Sequence, residues 1–299
     1  MSVVPEPLAE EPRYVPGMSP AEFEAQVHAR CTLLHTACGT GRLAWRRFGE
    51  PGRQPLILLH GGFGSWRHFI LNVIPLSRHY SVYCLDLPGL GDSAEPPGEY
   101  SPGPLAEIVW QGIQTLLPDA SGVNIAGFSF GGIVGSHVAA IGAERVGRYI
   151  GIAPGALGIR STVKLELRKQ RADMSEAELD ATHRHNLSVL MLADPERIDA
   201  LAVYLQRETV RRARVRSGDI PFTDLAARAL ERCSCAISGI WGSRDAIAAG
   251  EVHLREAVFR RIQPDCRFEV IEGAGHWVMY DRPDAFNRVM LELLASPGR

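Results

Sequence analysis

Between residues 123 and 142 the chain reads VNIAGFSFGGIVGSHVAAIG: a short apolar run, a serine between two glycines, then small and apolar residues at helical spacing. A strand that turns into a helix within about one residue brings its backbone against that of the helix, so side chains beside the turn must vanish. Gly127 and Gly131 flank Ser129 two residues to either side, in a G-x-S-x-G pattern, and Gly132 follows. An ordinary loop turn needs one glycine for a positive φ, not this group. The stretch therefore predicts a sharp strand-to-helix turn with Ser129 at its tip. The helix it opens aims free N–H groups and its positive dipole end at any charge forming beside that serine.

Such a turn belongs to a parallel sheet, and the rest of the chain supplies one. PLILLHG, YSVYCLDLPG, GVNIAGFS and RYIGIAPG are short continuous apolar runs ended by glycine or proline, separated by helix-length segments. Runs without polar alternation mark strands buried on both faces, and strand–helix repetition marks an α/β fold. Ahead of them, CTLLHTACG and RLAWRRFGE, joined through glycines, read as an antiparallel hairpin. SPAEFEAQVHAR predicts a helix with Ser19 as N-cap, Pro20 at its first position and Glu22 closing a capping box.

The rhythm stops after residue 155 and resumes at CAISGIWGSRD, a helix near 250–262, CRFEVIEGAGH and the amphipathic DAFNRVMLELLA. The intervening 156–232 holds helical patterns only: one capped by Ser175 and Glu178, the next starting at Asp194 and Pro195 and running to about 217. The organisation read from this is an N-terminal extension and short helix (1–30), an α/β core (31–155 and 233–299) and a helical cap inserted at 156–232.

At 45% hydrophobic and 22% charged residues with a formal net charge of -2, neither a nucleic-acid partner nor disorder is indicated. The acidic, proline-rich lead lacks the pattern of a signal peptide, and no apolar run reaches membrane-spanning length, so a cytoplasmic protein without membrane partners is expected. The six cysteines are scattered, and the one close pair, Cys233 and Cys235, has no second pair or nearby histidine to complete a zinc site; reduced core thiols and no metal are expected. Oligomeric state, a homodimer included, stays open.

A serine nucleophile needs a base, and the base an orienting acid. Asp245 follows the apolar run SGIWG, and His276 follows FEVIEGAG in a glycine-bounded loop. Each lies just past a strand, where the carboxyl ends of a parallel sheet open a crevice, and the chain order Ser129, Asp245, His276 suits a nucleophile, acid and base on this architecture. Donors for an oxyanion are expected from the N–H of Phe130 and from that of Gly62 or Phe63, with Gly62 favoured.

LLHGGFGSWRHF, LDLPGLGDSAEP, AGFSFGGIVG, GIWGSRDAI and EGAGHWVMYDRPDAFN together resemble the successive motifs of the α/β-hydrolase superfamily over roughly 40–155 and 233–295. The resemblance implies Ser129 as nucleophile, His276 as general base, Asp245 as its orienter, residues 156–232 as a helical cap walling the pocket, His60 and Asp86 as shaping the oxyanion loop and strand end rather than reacting, and no cofactor. Ser129 speaks against the dehalogenases and epoxide hydrolases of this fold, which place Asp there. HGGFGS, the His276-Trp277 pair and the stretch around Arg207 resemble the C–C bond hydrolases of aromatic degradation, although Phe63, Gly64, Phe128 and Phe130 depart from their usual HGGGPG and GNSMGG. A small-molecule substrate is implied: a small to medium carboxylic ester, or alternatively a 2-hydroxy-6-oxo-dienoate. Ligand reception and perhydrolysis also occur on this fold. Phe63, Trp66, Phe128 and Phe130 are read as pocket walls or core, and Trp66, Phe128 and Trp277 are also candidate substrate contacts. The cap is mildly basic, with 14 Lys/Arg against 12 Asp/Glu, and Arg207 is the candidate for a substrate carboxylate.

Overall fold

The computed structural model describes residues 11–15, 17–159 and 163–296. Most of the lead, residues 1–10 and 16, lies outside them. Eight strands form one sheet in the order β1-β2-β4-β3-β5-β6-β7-β8. β1 (Cys31–Cys38) and β2 (Gly41–Phe48) are the expected hairpin, and β2 also runs antiparallel to β4 (Ser81–Leu85). β3 (Pro55–Leu59), β4, β5 (Val123–Phe128), β6 (Val146–Ile152), β7 (Ala236–Gly242) and β8 (Arg267–Ile271) are parallel. The chain enters at β3, steps to β4, then reverses past β3 to β5. That reversal leaves a crevice at the carboxyl ends of β3 and β5, where ligands bind in open α/β sheets.

All five residues of β3 and all six of β5 are buried, because alternate side chains feed two separate cores. Ile57 and Leu59 join one, with residues from α3 (Pro102–Leu116) and α4 (Phe130–Gly142). Leu56 and Leu58 join the other, with residues from α1 (Pro20–His28), α2 (Val73–Ser77) and the C-terminal α10 (Pro283–Ala295).

Within 156–232 lie α5 (Glu176–Asn186), α6 (Ala200–Arg211) and α7 (Leu225–Leu230). α5 carries the expected Ser175–Glu178 capping box and continues into one π-helical turn, Leu187–Met191. Several expectations need correcting. Asp194 caps only a 3-10 turn, Pro195–Arg197; α6 starts afresh because the Asp199 carboxylate accepts from the Ala202 N–H at 2.8 Å. It ends at 211 rather than 217, since the Arg214 N–H is drawn off to the Gly89 carbonyl. Ser19 is the N-cap residue of α1, yet its hydroxyl makes no capping bond. α7 falls inside the segment read as cap but contributes Ala226, Ala227 and Leu230 to the α3/α4 core.

α8 (Val252–Ile262) follows β7, and α9 (Val278–Asp281) follows β8. The six cysteines are free, with Cys38, Cys84, Cys235 and Cys266 buried. Among the described residues no helix is long and apolar enough to cross a membrane, and no three His, Cys, Asp or Glu side chains gather as a metal-ligand set.

Candidate active site

Ser129 stands where β5 turns into α4, at φ 50° and ψ −114°. A non-glycine residue here carries backbone strain, held by surrounding contacts. Its N–H donates to Ile152 O on β6 at 2.9 Å, and its carbonyl accepts from Gly132 and Ile133. The flanking glycines are demanded by proximity: a Cβ on Gly127 would lie 2.6 Å from the Gly132 Cα, and one on Gly131 2.6 Å from the Leu59 carbonyl carbon. The turn is thus clamped between its own helix and the end of β3.

The loop after β3 lies against this turn. A Cβ on Gly61 would meet the Ser129 Cβ at 3.3 Å, and one on Gly62 the Phe130 Cβ at 3.9 Å. His60 is buried and fixes the loop from below. Its Nε2 accepts from the Leu87 N–H at 2.9 Å, so its Nδ1–H donates to Gly61 O at 2.8 Å. Burial holds this ring below its ordinary pKa, partly offset by Asp86, and so neutral. Asp86 accepts from the Trp66 and Asp92 N–H groups and from Arg46. Phe63, at φ 54°, is 41% exposed at the cavity mouth. Phe130 is buried and stacks on Tyr100 at 5.7 Å between ring centroids.

Asp245, past the end of β7, is buried. Oδ1 accepts from Ile247 N at 2.8 Å, and Oδ2 accepts from His276 Nδ1–H at 2.9 Å. Burial alone would raise this carboxyl; the adjacent His276 and the Ile247 and Ala248 N–H groups outweigh it and hold it below its ordinary value. An ionised Asp245 keeps the proton on Nδ1 and leaves His276 Nε2 as the free acceptor. The structure has no hydrogen bond between Ser129 and His276, a bond that in unliganded sites often tightens only around substrate. Both residues and Asp245 line one cavity of about 540 Å³, walled chiefly by apolar residues including Leu157, Ile159, Leu165, Leu167 and Trp241. Such a volume and lining suit a small organic ligand.

The His276 loop is tethered to residues 191 and 193. The Trp277 N–H donates to Met191 O at 2.8 Å, and the buried Asp281 carboxylate accepts from both Gly275 N at 2.7 Å and Ala193 N at 2.8 Å through Oδ2.

The sequence-level candidates divide. Ser129, Asp245, His276 and Phe63 meet at the cavity, with Gly62 and Phe130 behind the turn. Trp66, Phe128 and Trp277 are not cavity walls. Trp66 is buried, with the Arg46 and Arg67 guanidinium groups over its ring. Phe128 lies between the rings of His68 and His276, and the Trp277 indole donates to His68 O at 2.9 Å. Each is an apolar side chain pulled into the core beneath the site. Arg207 is not brought to the cavity either; α6 turns it toward α5, where Glu176 and Asp180 pair with it.

Sequence reasoning passed over three residues. His68 accepts from the Gly61 N–H at 3.2 Å, and its burial, with two neighbouring histidines, holds it well below its ordinary pKa. Asp281 lies five residues past His276, but its link to residue 193 is tertiary. Arg255, on α8, lines the cavity; its only local signal was a cation near a helix N-terminus.

A family model described as the alpha/beta hydrolase family matches residues 56–289. The chain is 27% identical over 84% of its length to a dihydrolipoyllysine-residue acetyltransferase component of an acetoin cleaving system from Pseudomonas putida, spanning 66% of that longer protein. It is 26% identical to a 2-hydroxy-6-oxo-6-(2'-aminophenyl)hexa-2,4-dienoic acid hydrolase from Metapseudomonas resinovorans, covering 83% of this chain and 87% of that one. To a pimeloyl-[acyl-carrier protein] methyl ester esterase from Yersinia enterocolitica it is 28% identical, over 84% and 96%.

Proposed function

The chain belongs to the alpha/beta hydrolase family, and from that premise we propose that it is a serine hydrolase that cleaves a small to medium carboxylic ester through an acyl-enzyme. The observation that carries this reading is the buried Asp245–His276 hydrogen bond opening on the same cavity as the strained Ser129 turn.

In this mechanism His276 Nε2 takes the Ser129 Oγ proton as the oxygen attacks the ester carbonyl. The oxyanion is held by the N–H of Phe130, at the start of α4, and by that of Gly62 or Phe63. Asp245 remains ionised and steadies the imidazolium. His276 then protonates the leaving alcohol, and a water activated by the same nitrogen releases the acid and restores Ser129. Ser129 Oγ and then water form the new bond to the acyl carbon as the alcohol and then Ser129 leave it, and His276 moves the proton in each step, so no cofactor enters the scheme.

C–C bond hydrolysis of a 2-hydroxy-6-oxo-dienoate is the second reading, favoured by the relative from Metapseudomonas resinovorans. The Yersinia relative, an esterase by name, and the departure of Phe128 and Phe130 from the GNSMGG of the C–C hydrolases weigh toward the ester. A fluorophosphonate probe is expected to add its mass to Ser129, and to label Ser129→Ala not at all. Wild-type protein left unlabelled at residue 129 refutes the nucleophile. Turnover of nitrophenyl esters beside a 2-hydroxy-6-oxo-dienoate then decides between the two bonds: a clear preference for the dienoate overturns the ester assignment.

A further inference from the structure

Arg207 was the sequence-level choice for an anionic substrate group, and the structure takes it elsewhere. Another arginine occupies the place. Arg255 is the only lysine or arginine among the described residues that line the catalytic cavity, and its side chain is only 8% exposed.

Its position follows from the βα unit. α8 starts at the carboxyl edge of the sheet, just after the turn carrying Asp245, so its first turns face the crevice. Arg255 and Phe259 lie four residues apart on one helix face, and Phe259 packs edge-on against Trp241 of β7 at 5.6 Å. That face therefore looks onto the sheet, with Arg255 at its crevice end.

Helix stability does not account for a cation there, because the positive end of the helix dipole disfavours it. Burial is a further cost unless the guanidinium is compensated. The compensation is modest. Nη1 donates to Glu251 O at 3.0 Å and Nη2 to Ile247 O at 3.3 Å. The half-exposed Glu251 carboxylate stands at 3.5 Å. Two carbonyls use two of the five donors of a guanidinium. A buried, always-charged fork with donors to spare, beside apolar Trp241, Ile247 and Ala248, suits a carboxylate.

We infer that Arg255 anchors a carboxylate on the substrate, so that the preferred ester carries a free acid group separated from the scissile carbonyl by an apolar chain. This rests on the ester-hydrolase reading above. The alternative role for Arg255 is that of a brace, holding the 247–251 turn and Asp245 with it.

The two roles separate in a paired series of nitrophenyl esters: half-esters of linear dicarboxylic acids against alkanoates of equal chain length. Wild-type protein is expected to prefer the acidic member by about tenfold or more in kcat/KM at one chain length, the worth of a charge-assisted hydrogen bond. Arg255→Gln is expected to erase most of that preference. No preference at any length in the wild type overturns the anchor, as does an equal loss on acidic and neutral esters in Arg255→Gln, the mark of a brace. If circular dichroism finds Arg255→Gln unfolded, Arg255→Lys decides: a ratio lowered about threefold or more, from loss of the fork, supports the anchor, and an unchanged ratio overturns it. Ester turnover that Ser129→Ala abolishes, with no acid preference in the wild type, removes the anchor and leaves the hydrolase reading standing. Absence of turnover on every ester removes both.

Discussion

Replacing Gly131 by alanine tests whether the Ser129 turn is held by backbone proximity. In an open helix this change adds up to about 1 kcal/mol of stability. Here the new methyl would stand 2.6 Å from the Leu59 carbonyl carbon and nearer still to the carbonyl oxygens of Leu59 and His60. Ordinary contact begins at 3.4 Å, so the Leu59 carbonyl carbon alone must give way by about 0.8 Å, and the two carbonyl oxygens by more. The atoms that would move belong to the end of β3, buried and bonded on both sides. Overpacking against backbone costs about 3 kcal/mol; subtracting the helix gain leaves a net loss of about 2 kcal/mol. The displacement falls on the residues that aim Ser129 and the 60–62 loop, and misplacement by about 1 Å can cost roughly 100-fold in rate. Urea denaturation would measure the first quantity, and kcat/KM on a nitrophenyl ester the second. Gly103→Ala in α3 is the comparison, since nothing lies within 4 Å of its added methyl; it is expected to be neutral or slightly stabilising. If Gly131→Ala matches Gly103→Ala in both assays, the argument from proximity is wrong.

Asp245→Asn replaces the acceptor that fixes the His276 Nδ1 proton, and kcat on esters is expected to fall by roughly 10²- to 10⁴-fold with less change in KM; a kcat within tenfold of wild type would refute the assigned role. Asp86→Ala leaves Arg46 buried with Asp92 as its remaining carboxylate and strips the acceptor from Trp66 N and Asp92 N; a loss of about 3 kcal/mol or more is expected, and a urea midpoint close to wild type would contradict it. His60 and His68 are held neutral by burial, so unfolding below the unperturbed value of 6.5 takes up protons. Stability is therefore full above about pH 6.5 and declines as pH falls toward the depressed folded values, by at most about 1.4 kcal/mol per pH unit for each ring. Urea midpoints unchanged between pH 7 and pH 5 would dismiss this.

Much of the architecture was legible because strands buried on both faces leave unbroken apolar runs, and because glycines cluster where backbones touch. The strand-end positions of Ser129, Asp245 and His276 followed from those runs alone. Where partners come from distant elements, local reading fails. Arg207 looks free until α5 brings Glu176 and Asp180 beside it, whereas Arg255 looks like one more charge on an amphipathic helix until β7 puts its face over the cavity. Asp194 and Asp199 are both plausible caps in one dimension, and Asp199 begins the α-helix while Asp194 begins only a short turn. Trp66, Phe128 and Trp277 illustrate a different ambiguity: a large apolar residue next to a site in sequence can wall the cavity or underlie it, depending on which way the strand or loop faces.

The tether between residues 191–193 and the His276 loop divides 156–232 into two unequal regions. Exchanging 156–232 wholesale for the matching segment of a relative would break the two hydrogen bonds that cross its boundary, Trp277 N–H to Met191 O and Ala193 N–H to Asp281 Oδ2, so a chimera would gain a new cavity wall and lose the placement of His276 in the same stroke. The free ground for remodelling is the rim at Leu165, Leu167 and Phe222, which lines the cavity without holding the machinery. Diversification of substrate range in this chain would be expected to accumulate there, with 191–193 and Asp281 changing only in concert.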